Sequence, residues 1–400
     1  MKNIGFLKNR IQNYPWGSRT FIPKLMGASV PAKEPCAELW LGSHPKAPSL
    51  VDVNGTWVPI TDIINEDPIA VLGKSTASKF ENQLPFLLKI LAAQEPLSIQ
   101  AHPNREQAAA GFRLENTMGV SSNSPHRNYR DANHKPELLC ALTPFWALKG
   151  FREARERKEL LDSFAFFDIA EVVFKEPLLN KHLRSFFTAL LSADRKRQAI
   201  LVKEVVKAVE KTGGGRPALS WVIALSRSFP GDIGVLAPLV LNLIQLEPGE
   251  AIFVPPGELH AYLKGAAIEV MANSDNVLRG GLTSKHVDVQ QLLKIVQFNE
   301  CPLTPMNLIQ GEGGEGVYPA SADEFVLSKI DIEEGVSFSS LGKRSVEILI
   351  MVEGEAMITD LGSLDTLRLR QGASVLVPAA VSKYLITGNG KIYKASVPQE

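Results

Sequence analysis

Between two prolines the chain reads Pro96-Leu97-Ser98-Ile99-Gln100-Ala101-His102-Pro103, and this stretch constrains the fold more than any other. With a period of two, Leu97, Ile99 and Ala101 fall on one side and Ser98, Gln100 and His102 on the other. The flanking prolines limit the strand to a short rung. An ordinary half-buried strand turns its polar side to water, and a surface strand with alternating Gln and His is the plainer reading. On the other reading, Gln100 and His102 are two metal-capable side chains on neighbouring pleats facing one site. The rest of the chain decides between them.

With 400 residues the chain is long enough for two or three domains, each with its own core. Up to about Trp146, short apolar runs are broken by Pro, Gly, Asn and Asp, with strands expected at 37–44 and 84–91 and a short helix at 105–111. Residues 116–133 are mostly polar and read as a long loop, which inside a compact domain is usually functional. From Gly150 to about Ser228 the spacing turns helical. Residues 153–164 and 181–212 set Lys, Arg and Glu between Leu, Ile and Val, and Gly213-Gly214-Gly215-Arg216-Pro217 ends the second run. Strand texture returns near Leu236, at 239–246, 251–254 and 268–271, and from about Glu312 the chain is β-rich to Glu400. Short strands with frequent turns predict a sandwich or barrel rather than a parallel sheet. Residues 1–148 and 236–310 are expected to form one β unit, 149–235 a helical insertion within it, and 311–400 a second β unit.

One internal echo supports two β units. Residues 246–255, Leu-Glu-Pro-Gly-Glu-Ala-Ile-Phe-Val-Pro, resemble 369–378, Leu-Arg-Gln-Gly-Ala-Ser-Val-Leu-Val-Pro. Carried forward without a gap, the register puts Lys383 opposite His260, so only the first copy keeps a metal-capable residue there.

Lys+Arg and Asp+Glu balance at 43 each, so no net field draws in nucleic acid or an acidic membrane surface. No apolar run is long enough to span a bilayer, and Met1 to Arg10 has no signal-peptide core. Cys36, Cys140 and Cys301 are odd in number and scattered, which fits buried thiols in a reducing, cytoplasmic setting.

Three further segments complete a candidate site. Asn133-His134-Lys135-Pro136-Glu137-Leu138-Leu139 sets a carboxylate at the start of an apolar strand, where burial without a partner is costly and a cation is the natural partner. Pro255-Pro256-Gly257-Glu258-Leu259-His260-Ala261-Tyr262 sets a histidine after a tight turn, with Tyr262 on the same side. The run from Glu269 to Lys285, Glu-Val-Met-Ala-Asn-Ser-Asp-Asn-Val-Leu-Arg-Gly-Gly-Leu-Thr-Ser-Lys, is unusually rich in functional groups.

These segments, together with Asn13-Tyr14-Pro15-Trp16-Gly17 and Ala37-Glu38-Leu39-Trp40-Leu41-Gly42, resemble the type I mannose-6-phosphate isomerase family, in order from Asn13 to about Asp288. The Glu269 to Thr283 run is the most specific part. The last ninety or so residues match in texture without a sharp motif. The resemblance implies a mainly β bicupin, two cupin-like jelly-roll barrels of which the second is degenerate. It also implies one zinc, held by Gln100, His102, Glu137 and His260. Two imidazoles and two oxygens suit that borderline ion, and a neutral amide in place of a second carboxylate leaves the site a useful Lewis acid. The implied reaction interconverts D-mannose 6-phosphate and D-fructose 6-phosphate through a cis-enediol.

The family's catalytic arginine falls on Arg279, whose fixed charge suits stabilisation of the developing oxyanion rather than proton removal. Lys135, Glu269, Asp275 and a metal-bound water are the candidates for proton transfer. Ser98 and Lys285, and less directly Lys89, are candidates for the phosphate; Ser284 stands where the family often has proline. His44 and His134 are expected to hydrogen-bond a metal ligand, and His126, His182 and His286 to be surface or structural. Tyr14, Trp16 and Trp40 either line a sugar pocket or belong to the core. The expected partner is a small sugar phosphate, with no nucleic acid or membrane, acting on a monomer. Two rivals are an iron-dependent cupin oxygenase, to which Gln100 and the Asp275–Arg279 group contribute nothing evident, and a non-catalytic sugar-binding module.

Overall fold

A computed structural model of the chain describes residues 1–174, 182–213, 215–300, 303–311 and 314–399. Lys181, Gly214, Cys301, Glu312 and Glu400, all used in the sequence reading, lie outside them.

The strand Phe86–Ala93 is buried at every position, because both of its faces are covered. Phe86, Leu88, Ile90 and Ala92 share a core with Ile348 and Leu376 of the C-terminal region. Leu91 and Ala93 face the other way, toward Tyr262 and Phe145. Two-sided burial explains why the sequence there is a continuous apolar run rather than an alternation. This strand pairs antiparallel with Glu38–Gly42 on one edge and with the second half of His260–Ala272 on the other.

The long strand His260–Ala272 belongs to two sheets. Its first residues pair with Phe145–Phe151, and His260 itself lies opposite Gln100 of the short strand Ile99–Ala101. From Gly265 onward it pairs with Phe86–Ala93, and from Ala267 also with Glu137–Ala141. Gly265 stands at the change of partners with φ of +125°, and a Cβ there would come within 2.7 Å of the Phe145 ring and the Pro144 carbonyl. Only glycine allows that approach. Leu278–Gly281 extends the first sheet beside Ile99–Ala101, and Ala251–Val254 extends the second beside Glu137–Ala141. The two enclose a small core around Leu139, Phe145, Ile252 and Tyr262. This is a jelly-roll-like sandwich with open edges: strand pairing among the described residues does not close it into a cylinder.

Between Phe145–Phe151 and the strand Leu241–Leu246 the described residues include the helices Ala154–Asp162, Phe166–Phe174, Leu183–Ser192, Arg195–Lys211 and Pro217–Ser228. They form one core with Ile99, Ala101 and Leu148 on the back of the first sheet. The single helical run expected over 181–212 is two helices, because Asp194 caps the second by accepting from the Arg197 amide at 2.9 Å. No helix among the described residues is long and apolar enough to cross a membrane.

The C-terminal sheet is built on Glu347–Asp360 and Tyr384–Ser396, which lie side by side. Gly5–Lys8 pairs with Ser374–Val377 of that sheet and with Leu50–Val53. The N-terminus is thus sewn into the C-terminal sheet, a pairing the order of segments along the chain does not reveal. The internal echo is a repeated turn, with Gly249 at φ +95° and Gly372 at φ +84°. Its ungapped register is one residue off, however. Lys383 is exposed just before the strand, and the buried residue that opens the strand is Tyr384. Cys36 and Cys140 are buried and free of disulfides.

Gly265→Ala is expected to destabilise the protein by roughly 1–3 kcal/mol, since it combines a left-handed backbone with a backbone clash. Urea unfolding at neutral pH reads this directly, and a variant as stable as the parent would mean that the strand changes sheets without needing glycine.

Candidate metal centre and active site

The alternation at Ile99–Ala101 begins at Ser98. Ile99 and Ala101 enter the helical core, while Ser98 and Gln100 line a cavity of about 560 Å³. Leu97 precedes the strand and packs with Trp16 on the small inner core instead. Gln100 is flanked by His260 on one neighbouring strand and Arg279 on the other. Glu137 opens its strand opposite Met271 and Val254. Four segments distant in sequence therefore meet at one end of the sandwich.

His102, Glu137 and His260 are all buried, with one donor atom from each lying within 4.8 Å of the others. The His102 Nδ1 donates to the Asn276 carbonyl at 2.6 Å, and the His260 Nδ1 to the Glu258 carbonyl at 3.1 Å. A carbonyl only accepts, so both protons are on Nδ1 and both Nε2 atoms present lone pairs. Those lone pairs face Glu137 at 3.2 and 3.4 Å, and neither Nε2 has a hydrogen bond. Three acceptors turned toward one another without a proton between them repel unless a cation joins them. The arrangement fits a metal ion, and nitrogen–oxygen donors of this kind suit zinc.

Glu137 has further support. Lys135 Nζ lies 2.6 Å from its Oε1, and the Tyr262 hydroxyl donates to its Oε2 at 3.0 Å. Burial would raise the Glu137 pKa, but the Lys135 ammonium outweighs it and holds the carboxyl well below its usual range. Burial, with Lys135 next, pushes His102 down to about 4, so its imidazole is neutral and ready to ligate at neutral pH. Burial and Glu137 together hold the Tyr262 phenol well above its usual value.

A second charged row crosses the cavity floor. Lys89 lies opposite Glu269 on one neighbouring strand and Trp40 on the other. Its Nζ is 3.0 Å from Glu269 and 3.8 Å from Glu38, and Trp40 Nε1 donates to Glu38 at 2.6 Å. Burial alone would lower the Lys89 pKa; Glu269 and Glu38 outweigh it and raise it. Glu269 itself is raised by burial, with Lys89 opposing and Glu137 adding to the rise. Asp275 is held ionised, below its usual range, by His44 at 3.4 Å and Lys46 at 2.7 Å, against a burial effect of opposite sign.

Arg279 and Lys285 line the same cavity, and neither has a carboxylate partner among the described residues. Burial lowers the Arg279 pKa, with Arg130 adding; burial, then Arg279 and Arg130, lowers that of Lys285. These cations repel one another and await an anion.

The cavity also receives Tyr14, Trp16 and Trp40, with Tyr14 stacked on Trp16 at 5.8 Å. The two candidate supporting histidines bond elsewhere than to a ligand. His44 holds Asp275, and His134 Nε2 lies 2.8 Å from Glu324, which also takes Arg105 at 2.5 Å. His126 and His286 are exposed and meet edge to face, with centroids 4.7 Å apart, and His182 precedes a helix. Three residues escaped the sequence reading. Glu38 needed the strand order to be seen beside Lys89, and Arg130 lay in a loop without periodicity. Asn276, wholly buried, ties that loop to His102: its Oδ1 accepts from the Arg130 amide at 2.6 Å and its Nδ2 donates to the Asn133 carbonyl at 2.9 Å. Its place within the Glu269–Lys285 run was the available signal.

Comparison with known proteins gives the family. The family model described as phosphomannose isomerase type I, catalytic domain, matches residues 5–154, and that described as mannose-6-phosphate isomerase, cupin domain, matches 315–397. The chain is 39% identical to mannose-6-phosphate isomerase of Salmonella typhimurium over 390 residues, covering 96% of this chain and 97% of the relative. This chain belongs to the type I phosphomannose isomerase family. The Homo sapiens member is 30% identical, covering 92% of each chain. A zinc-bound mannose 6-phosphate isomerase structure superposes with a TM-score of 0.90 at 36% identity, over 99% of this chain and 100% of that one. The fold is accordingly the family's, mainly β with a cupin domain. The zinc of that relative agrees in kind with the lone pairs of His102 and His260.

With metal chelated, stability is expected to fall as pH drops from about 6.5 toward 4. In that window the unfolded chain takes up a proton that folded His102 refuses, so protonation favours unfolding. The loss is on the order of 3 kcal/mol. Urea melts at pH 7.5 and 5 read it, and His102→Gln should flatten that part of the profile; an unchanged slope would assign the effect to other groups.

Proposed function

We propose that the protein is a zinc-dependent aldose–ketose isomerase acting on D-mannose 6-phosphate and D-fructose 6-phosphate. One observation carries this reading. One cavity is lined by Gln100 and Glu137 of the metal-type donor group and by the cations Arg279 and Lys285, which have no carboxylate partner among the described residues, with Arg279 directly beside Gln100. A sugar phosphate is a molecule with vicinal oxygens at one end and a dianion at the other. The family membership and the mannose-6-phosphate isomerase activity of the relatives support the same substrate.

Gln100, His102, Glu137 and His260 would hold one zinc. When bound, it supplies Lewis acidity toward the sugar's carbonyl and hydroxyl oxygens. The rest falls to the chain's own residues. Lys285 and Ser98, which line the same cavity, take the phosphate. Arg279 faces the reacting end through Gln100 and lowers the energy of the oxygen charge that builds as the cis-enediol forms.

Isomerisation removes the proton from C2, protonates O1, then returns a proton to C1 as O2 loses its own. Among Glu269, Lys135 and Asp275, Glu269 is best suited to carry the carbon proton. Burial raises its pKa toward the working range of a general base, and Lys89 fixes its position at 3.0 Å. Lys135 is committed to Glu137, and Asp275, already paired with His44 and Lys46, serves to orient. The catalytic β unit is drawn from residues 1–148 and 236–310, with 149–235 inserted and 311–400 as the second, non-catalytic unit, whose sheet also takes in Gly5–Lys8 and Leu50–Val53.

A coupled assay on mannose 6-phosphate should lose activity on chelation and regain it with zinc, in the absence of oxygen as well as in its presence. A need for oxygen would favour the oxygenase alternative. Arg279→Ala should lower kcat by roughly 10²–10³-fold with zinc content and melting unchanged, and normal turnover in that variant would remove the role given to the arginine. Lys285→Ala should act mainly on KM, by about tenfold or more, as read by initial-rate kinetics; an unchanged KM would move the phosphate elsewhere.

A further inference from the structure

The segment carrying Arg279 and Lys285 is a thin wall. Thr283 and Ser284 line the 560 Å³ cavity on one face and a second cavity of about 470 Å³ on the other. Leu278 and Leu282 pack into the helical core, but Thr283 and Ser284 between Leu282 and Lys285 each border both cavities. The segment's backbone is also unusual: Gly281 has φ of +141° and Leu282, not a glycine, has φ of +53°. A left-handed conformation at leucine costs energy and persists only where the surroundings dictate it.

Asp232 is what dictates it. This residue lies in the helical region, at the start of the short 3₁₀ turn Ile233–Leu236. Its Oδ1 accepts from the Gly234 amide at 2.7 Å and from the Leu282 amide at 3.0 Å, and its Oδ2 accepts from the Thr283 amide at 3.2 Å. One carboxylate thus locks its own turn to the wall. The two backbones touch at this crossing. A Cβ on Gly234 would come within 2.7 Å of the Leu282 nitrogen, and one on Gly281 within 2.8 Å of the Gly234 Cα. The contact works only with glycine on both sides.

We propose that Asp232 is a positioning residue for the phosphate end of the site. Two of its three amide bonds hold Leu282 and Thr283 in the conformation that turns Lys285 into the cavity, and the third ties them to its own turn at Gly234. The helical insertion then has a role in recognition, although it contributes none of the candidate ligands. This inference rests on the sugar-phosphate reading above.

The test uses full-length, zinc-loaded protein, with inorganic phosphate as a competitive inhibitor. Asp232→Ala should raise both KM for mannose 6-phosphate and the inhibition constant of phosphate about tenfold or more, with a smaller change in kcat and unchanged zinc content. Asp232→Asn keeps one acceptor oxygen and turns a donor toward the wall, so both constants should rise to intermediate values. Constants within twofold of the parent in the alanine variant overturn the proposal. So does a parallel loss of kcat, zinc and melting temperature without a selective rise in the two constants, which marks a purely structural role. If the alanine variant does not fold, the asparagine variant decides, and an unchanged phosphate constant there overturns the proposal. A parent protein that does not isomerise mannose 6-phosphate defeats the functional reading instead; calorimetric titration of phosphate into parent and variants then still tests whether Asp232 organises an anion site.

Discussion

Glu137 is the charge on which the rest depends. A buried carboxylate is tolerable only when several groups favour its ionised form. Here Lys135 and the Tyr262 hydroxyl do so, while the imidazoles of His102 and His260 close in beside it. The imidazoles add lone pairs rather than protons, because backbone carbonyls have taken their Nδ1 hydrogens. What remains is a pocket of negative potential shaped for a cation. Burial keeps the His102 imidazole neutral well below neutral pH.

The fold serves this centre by letting one strand belong to two sheets. His260 and Tyr262 lie on the part that pairs with the first sheet, Glu269 on the part that pairs with the second. The change of partners at Gly265 brings the metal donors and the Lys89–Glu269 pair to the same cavity, although eight residues of strand lie between His260 and Glu269. The helical region covers the back of the first sheet and reaches round, through Asp232, to the wall that bears the unpaired cations. The loop that leads to Lys285 is therefore braced by a part of the chain that supplies no candidate metal donor.

Much of this was legible in the residues. The period-two pattern at Ser98, Gln100 and His102, the lone carboxylate opening an apolar strand at Glu137, and the polar Glu269–Lys285 run all pointed to one site. The family resemblance supplied how they would be used. Other features were hidden because they depend on who pairs with whom. Glu38 reads as an ordinary strand carboxylate until Lys89 is found beside it. His44 and His134 stood next to site motifs, yet their partners are Asp275 and Glu324, carboxylates that no local spacing brings near. The echo of 246–255 in 369–378 identified a repeated turn but missed its register by one residue, since a short match cannot say where the next strand starts.

By itself, the sequence determined the local chemistry: which segments are strands, which faces are polar, and which residue types are available to a metal, a proton or a phosphate. Those follow from periodicity and side-chain identity, which are properties of neighbours along the chain. Tertiary structure alone decided the charges that face one another, the tautomers of the two histidines, the sewing of Gly5–Lys8 into the C-terminal sheet, and the hold of Asp232 on a distant loop. Each of these is a contact between segments far apart in sequence, where hydrogen bonding and burial act through space.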